Sequence, residues 1–285
     1  MNITTFSNPS SYTYNGKLAT YFPDINFGDG RNPINETLKN GELWMADPSG
    51  FNDPFDCRIP VSKIHSTNQN LTIEETNEMF IQGLGIRCFV RDDKTPENDQ
   101  LMWSHYANKG NGICMIFDPE KDIELFSPND VIGVEYVKQS PQLIHTNNIE
   151  LWTESNINFI KTKCYSFGLK GTQWAYENEI RLVKQCCLLI REFLFESMNK
   201  ADQKYNPESV KLNFSNKLAK FMQIPTVRNY DFKKESLVEI RFGDKMKDSR
   251  IQEIKDTLMK NGYGHVNCVK SCPNSKEFKI EYIKC

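Results

Sequence analysis

The stretch YENEIRLV, residues 176–183, is the one on which the reading of the fold turns. If residues 177–183 are extended, side chains alternate, so Glu177, Glu179 and Arg181 share one face while Ile180 and Leu182 point the other way into a core. A half-buried strand this late in the chain needs partners. Working outward, strand-like content recurs at Leu18–Phe22, Leu43–Ala46, Ile86–Val90, Ile113–Phe117, Val131–Val137, Leu237–Phe242, His265–Val269 and Phe278–Ile283.

Helical signals lie between these runs. Thr72 and Glu75 form a capping box ahead of a helix over about 73–83. Residues 98–107 place Leu101, Met102 and His105 on one helical face, with Trp103 and Tyr106 one step round. A helix is expected between Ile149 and Tyr165, and Cys186–Met198 reads as apolar helix or as strand running into helix. Ser249 and Gln252 open a helix with Ile251, Ile254 and Leu258 as its stripe, stopped by Gly262 or Gly264. Asp29-Gly30 and Asn32-Pro33 are turn signals, a short helical turn follows Asn35, Asn40-Gly41 turns again, and 138–148 reads as a loop. This order of strands and helices is α+β.

At 285 residues the chain reads as one elaborated domain with an irregular N-terminal segment, 1–35. A surface insertion is expected at 199–210, and a strand-helix-strand-strand unit over 237–285 closes the chain. Hydrophobic residues at 39% and charged residues at 25% are globular composition, which argues against disorder. Net charge is −2 and the pI is near 6.2, so the chain offers no strongly basic nucleic-acid surface and no general attraction to anionic membranes. Nine cysteines, odd in number and scattered through apolar runs, read as free thiols. The opening MNITTFSNPSSYTYNG has no basic start and no apolar stretch of signal length, and a reducing cytoplasm is the expected location.

Three clusters could carry chemistry. Glu177 and Glu179 on one strand face would lie roughly 7 Å apart, close enough to perturb each other in a dry site. Such a pair suits work on a sugar, one carboxylate stabilising an oxocarbenium-like state and the other orienting a nucleophile; the plainer alternative is a solvated face with an internal ion pair. In the loop FNDPFD, 51–56, Asn52, Asp53 and Asp56 stand beside Phe51 and Phe55, where Asx side chains often do no more than close turns. In MWSHY, 102–106, Ser104 and His105 diverge by about 100° on a helix and cannot act as nucleophile and base on each other. His105 could act with a distant partner or be an ordinary hydrogen-bonded helix residue. Metal chemistry is disfavoured: no His or Cys stands at ligand spacing beside the acids, and His265, Cys268 and Cys272 lack a fourth ligand.

Taken together, TLKNGELWMADPSGFNDPFDC (37–57), LMWSHYANKGNGICMIFD (101–118) and WAYENEIRLV (174–183) resemble the bacterial "domain of unknown function 2971" family in order and spacing, over roughly residues 18–285. Where that family typically has Tyr-Lys-Tyr-Arg, this chain has Leu18, Ala19, Thr20 and Tyr21, of which only Tyr21 fits. The layout is also similar to that of ADP-ribosyltransferases, a likeness at the level of fold. It implies a mixed, partly split β-sheet with flanking helices that grips NAD as a substrate, with Glu179 as catalytic glutamate and Glu177 orienting the acceptor. Tyr21, Trp44 and Phe51 would line the nicotinamide pocket. Asn52, Asp53, Trp103, Tyr106 and Arg181 complete the candidate cofactor-binding set, and His105 is a third catalytic candidate. The implied protein is a transferase acting on a protein or nucleic-acid acceptor, as a toxin or phage-defence effector. Two other classes stay open: a non-enzymatic sensor or interaction domain with a buried polar network, and a metal-dependent nuclease built on Asp53, Asp56, Glu177 and Glu179.

Overall fold

The computed structural model describes residues 16–57, 61–64, 84–92, 96–128, 130–138, 143–145, 167–186 and 228–285. Along the chain its strands are β1 (Leu18–Pro23), β2 (Glu42–Trp44), β3 (Val61–Ile64), β4 (Leu84–Arg91), β5 (Gly112–Phe117), β6 (Val131–Gly133), β7 (Glu135–Val137), β8 (Leu143–His145), β9 (Leu169–Gly171), β10 (Glu179–Gln185), β11 (Asn229–Asp231), β12 (Leu237–Phe242), β13 (Asn267–Asn274) and β14 (Lys279–Lys284). Its α-helices are α1 (Pro33–Asn40), α2 (Pro96–Tyr106) and α3 (Asp248–Lys260). Eight strands form one sheet in the order β14-β13-β12-β5-β1-β4-β10-β6. Only β12 and β13 run parallel in it, joined through α3 as a parallel pair requires. The α+β class and the mixed sheet follow from these pairings.

Strand β5 explains the layering. Its sequence GICMIF is apolar throughout and buried at every position, so both faces must be covered. Ile113, Met115 and Phe117 pack with Ile34 and Leu38 of α1 and with Ile254 and Leu258 of α3. Cys114 and Ile116 face the other way, under Trp103 and Ala107 at the end of α2. Helix α1 begins where Asn32 accepts hydrogen bonds from the Ile34 and Asn35 amides, and Pro33 suits the first turn because its missing N–H has no intrahelical partner there. It ends at Gly41, whose φ of 74° closes the helix in the left-handed region.

The sheet is split. Strand β1 pairs with β5 along its whole length, from Leu18↔Phe117 to Pro23↔Gly112, but with β4 only at Leu18↔Arg91 and Ala19↔Val90. Beyond Ala19 the two strands part. The Thr20 hydroxyl reaches across to the Cys88 carbonyl at 3.0 Å, and Arg87 Nε donates to that hydroxyl at 2.9 Å, so side chains span the gap where ladder bonds stop. Strand β4 stays fully paired to β10 on its other side.

Several sequence expectations need correction. Asn32-Pro33 is a helix start and not a turn, because the cap and the proline act together. Residues 131–137 form two strands, with β6 on β10 and β7 on β9. Within the expected loop 138–148, β8 pairs in parallel with β3. Strands β13 and β14 are displaced by one or two residues at their starts, and no side chain caps α3, whose N-cap position is Lys247. Helix α2 buries Met102 and Trp103 and leaves Leu101 and His105 exposed, since Trp103 and Ala107 are the side chains that meet the sheet. The expected helices 73–83 and 149–165, most of Cys186–Met198 and the insertion 199–210 lie outside the described residues. No helix among the described residues is long and apolar enough to cross a membrane.

Gly243 follows β12 and lies against the backbone of Gly110 and Gly112, where a Cβ would overlap the Gly110 carbonyl. Backbone cannot give way as a flexible side chain can. Gly243→Ala is therefore expected to destabilise the fold by about 1–3 kcal/mol, read from the midpoint of a urea unfolding curve.

Candidate functional site

Strand β10 starts at Glu179, so Glu179 and Arg181 share a face as the alternation requires, and Ile180 turns into the core. Glu177 does not belong to that strand. Residues Thr172–Glu177 form a 3-10 helix, and Asn178 at φ 44° turns the chain between helix and strand. Both acids are nonetheless buried and drawn together by a residue the sequence reading missed, Lys170 of β9. Its Nζ lies 2.5 Å from Glu177 Oε2, 3.2 Å from Glu179 Oε2 and 3.8 Å from Asp56 Oδ2.

Arg181 is wholly buried and forks between two carboxylates. Nη1 and Nη2 each donate to Asp56 at 2.7 Å, while Nε and Nη2 donate to Glu179 at 2.9 and 3.0 Å. Nη1 also meets the Phe167 carbonyl at 3.0 Å and Cys57 Sγ at 3.4 Å. Bidentate, charge-assisted bonds of this kind are the strong ones. Burial alone would push the Glu179 carboxyl up, but Arg181 and then Lys170 outweigh it and hold the pKa down at about 2. Burial opposes the charge on Arg181 too, and Glu179 and Asp56 more than restore it. The Tyr106 hydroxyl donates to Glu177 Oε1, and burial together with that bond raises the phenol well above its usual range. Tyr136 accepts the Glu179 amide at 2.8 Å. Three carboxylates thus meet two cations, leaving a formal balance of one negative charge.

This network adjoins a cavity of about 390 Å³ at the split between β1 and β4. Tyr21, Phe51, Asn52, Tyr106, Glu177 and Glu179 line it, as do Asp56, Lys170, Thr20, Arg87 and Cys88. Of the expected site residues, those first six meet there. Arg181 lies beneath, supporting Asp56 and Glu179 without lining the hollow. Asp53 is buried but closes its own turn by accepting the Phe55 amide at 2.9 Å. Trp103 is packed against the sheet with Nε1 on the Tyr282 hydroxyl at 3.2 Å and its ring perpendicular to that of Tyr21, centroids 5.3 Å apart, and it does not line the hollow. Trp44 is exposed on the small β2–β11 pair, away from the hollow. His105 points outward against Tyr106 and Tyr176 and does not reach it. Among the described residues no group of three or more His, Cys, Asp or Glu is arranged to hold a metal ion, and Lys170 Nζ sits among the acids that the nuclease reading would use.

Removing Arg181 leaves Asp56 and Glu179 buried without their main counter-charge. Arg181→Met is expected to cost about 3–5 kcal/mol of stability, measured by urea unfolding at neutral pH. The pH dependence has a definite sign. Because the folded pKa of Glu179 lies below its ordinary 4.5, its contribution is present above that value and is lost as pH falls toward about 2. Wild type should therefore lose more stability between about pH 5 and pH 2.5 than Glu179→Gln does, and parallel curves would contradict the assignment.

No curated protein and no solved structure matches the chain. Residues 102–182, which span MWSHY, the central strand β5, Lys170 and the Glu177–Glu179 pair, match the model of the family described as "Protein of unknown function (DUF2971)".

Proposed function

We propose that the cavity at the sheet split binds NAD by its nicotinamide–ribose end and that the protein is an ADP-ribosyltransferase-like effector, transferring ADP-ribose to a protein or nucleic-acid acceptor. The observation that carries this reading is the pairing of aromatic walls with a net negative, ionised floor. Tyr21, Phe51 and Tyr106 line a hollow that also contains Glu177 and Glu179, in a network with one unbalanced negative charge. An N-ribosylated nicotinamide ring is flat and positively charged, and aromatic side chains and excess negative charge both attract such a group. A volume of about 390 Å³ suits the nicotinamide–ribose end better than a whole dinucleotide, so the adenosine end of NAD would extend out of the hollow.

The chemistry follows from where charge moves. As the bond from ribose C1′ to the nicotinamide nitrogen breaks, positive charge passes from ring to sugar, and nicotinamide leaves neutral. Glu179, kept ionised by Arg181 and Lys170, is fitted to stabilise the sugar at that moment, without reorganising, because its oxygens are already fixed. Glu177, held by Lys170 and Tyr106, would take the proton of an acceptor nucleophile as the new bond to C1′ forms.

A second reading has its own observation. Both oxygens of Glu179 are engaged by cations, which is also what a purely structural network in a sensor or interaction domain would show. One experiment separates the two. Purified protein is incubated with NAD labelled in the adenylate and with cell extract, and nicotinamide release and labelled acceptor are followed. The transferase reading expects both, with Glu179→Gln reduced by about 100-fold or more while keeping a cooperative melt. No release, or equal release from Glu179→Gln, leaves the structural reading.

A further inference from the structure

Four buried or half-buried arginines among the described residues are paired with acids. Arg181 meets Asp56 and Glu179, Arg228 meets Asp47, Arg241 meets Asp92 and Glu239, and Arg250 meets Asp24 and Glu253. Arg87 differs. It stands on β4 where that strand has lost its β1 partner, and it is one of the residues lining the hollow at the split. Its Nε is fixed by Thr20 Oγ1 at 2.9 Å, and its guanidinium lies 4.1 Å from the centre of the Phe22 ring. Among the described residues no carboxylate pairs with it, and no hydrogen bond from its terminal amino groups is found.

A desolvated cation without a counter-charge is unfavourable, and side chains of this kind are normally neutralised. Arg87 keeps some accessible surface, yet burial is the chief influence on it and pulls its pKa down to about 10. It therefore remains charged at neutral pH, beside the hollow it helps to line. The ring beneath and the hydroxyl on Nε hold the guanidinium plane in place, which leaves its terminal fork as a preorganised donor pair. Such a fork matches the oxygens of a phosphate group.

We infer that Arg87, positioned by Thr20 and Phe22, forms an anion subsite of the same cleft that takes a phosphate of a diphosphate-bearing nucleotide. Arg87 faces Leu182 across the β4–β10 pair and leaves the sheet on the Ile180 face, whereas Glu179 faces Val90 and leaves on the other. The hollow at the split is lined from both faces, acids on one side and Arg87 on the other, which suits a ligand with a cationic ring and a diphosphate further along. Assigning that diphosphate to NAD rests on the proposed function; the subsite itself does not.

The test uses full-length protein and three probes in equilibrium titrations: ADP-ribose, inorganic pyrophosphate, and nicotinamide riboside, which has no phosphate. Wild type should bind ADP-ribose, and pyrophosphate should displace it competitively. Arg87→Met should weaken ADP-ribose by at least about tenfold while changing nicotinamide riboside by less than about twofold. Because no carboxylate among the described residues pairs with Arg87, the substitution orphans no buried acid there. Should it still fail to fold, Thr20→Val, which frees the guanidinium from its anchor, and pyrophosphate competition in wild type give the same reading. Unchanged ADP-ribose affinity in Arg87→Met, or no binding of ADP-ribose and pyrophosphate by wild type, overturns the inference. Arg87-dependent ADP-ribose binding without nicotinamide riboside binding or NAD cleavage would uphold the subsite and reject the transferase reading.

Discussion

A single fully buried guanidinium, that of Arg181, ties together three separate parts of the chain. Its donors reach Asp56 in the 51–57 loop, Glu179 at the start of β10 and the Phe167 carbonyl. The loop needs such an anchor. Pro48, Gly50 and Pro54 break up regular backbone pairing there, and Phe55 at its tip is largely exposed, so little hydrophobic burial holds the tip down. Taking an arginine and two acids out of water is itself unfavourable, and the geometry repays it only because nearly every donor and acceptor is used. What the arrangement secures is one position for the loop over the sheet.

That position makes the hollow. With the loop pinned, Phe51 and Asn52 roof the gap where β1 leaves β4, and Tyr106 of α2 closes another side through Glu177. The floor is acidic but not strongly so, because Lys170 and Arg181 offset two of its three charges. A more negative floor would take up protons near neutral pH; this one keeps Glu179 ionised. Packing, charge balance and the split in the sheet are therefore one construction, since the same residues that fix the loop also set the state of the carboxylate facing the cavity.

Much of the fold was legible because its signals are local. The run 113–117 reads as a strand by its branched and aromatic content, and the alternation 179–183 puts Glu179 and Arg181 on one face. That face is buried as fully as the Ile180 face and not half-exposed, and Asn40-Gly41 is a helix end closed by a left-handed glycine, not a tight turn. Short strands such as β8 and β9 were not legible, because three residues carry no period and their partners lie far along the chain, and β7 was read only as the tail of a single strand over 131–137. The face of α2 was misread for a related reason: Trp103 is buried by Tyr282 and the sheet, contacts that no helical spacing reveals. At the site, Glu179 and Arg181 followed from alternation, whereas Glu177 joined them by a different route, through the Asn178 turn and Lys170. A lone lysine between Leu169 and Gly171 leaves no pattern to read. Arg87, a charged residue within the apolar run of β4, was a visible oddity that could have pointed to the cleft.

The most direct measurement is the structure of Glu179→Gln protein crystallised with saturating NAD. The predicted result places the nicotinamide ring between Tyr21, Phe51 and Tyr106 with its ribose over residue 179. An ordered protein with an empty cleft under those conditions, or with NAD bound elsewhere, would contradict the assignment of this hollow as the place where the chemistry occurs.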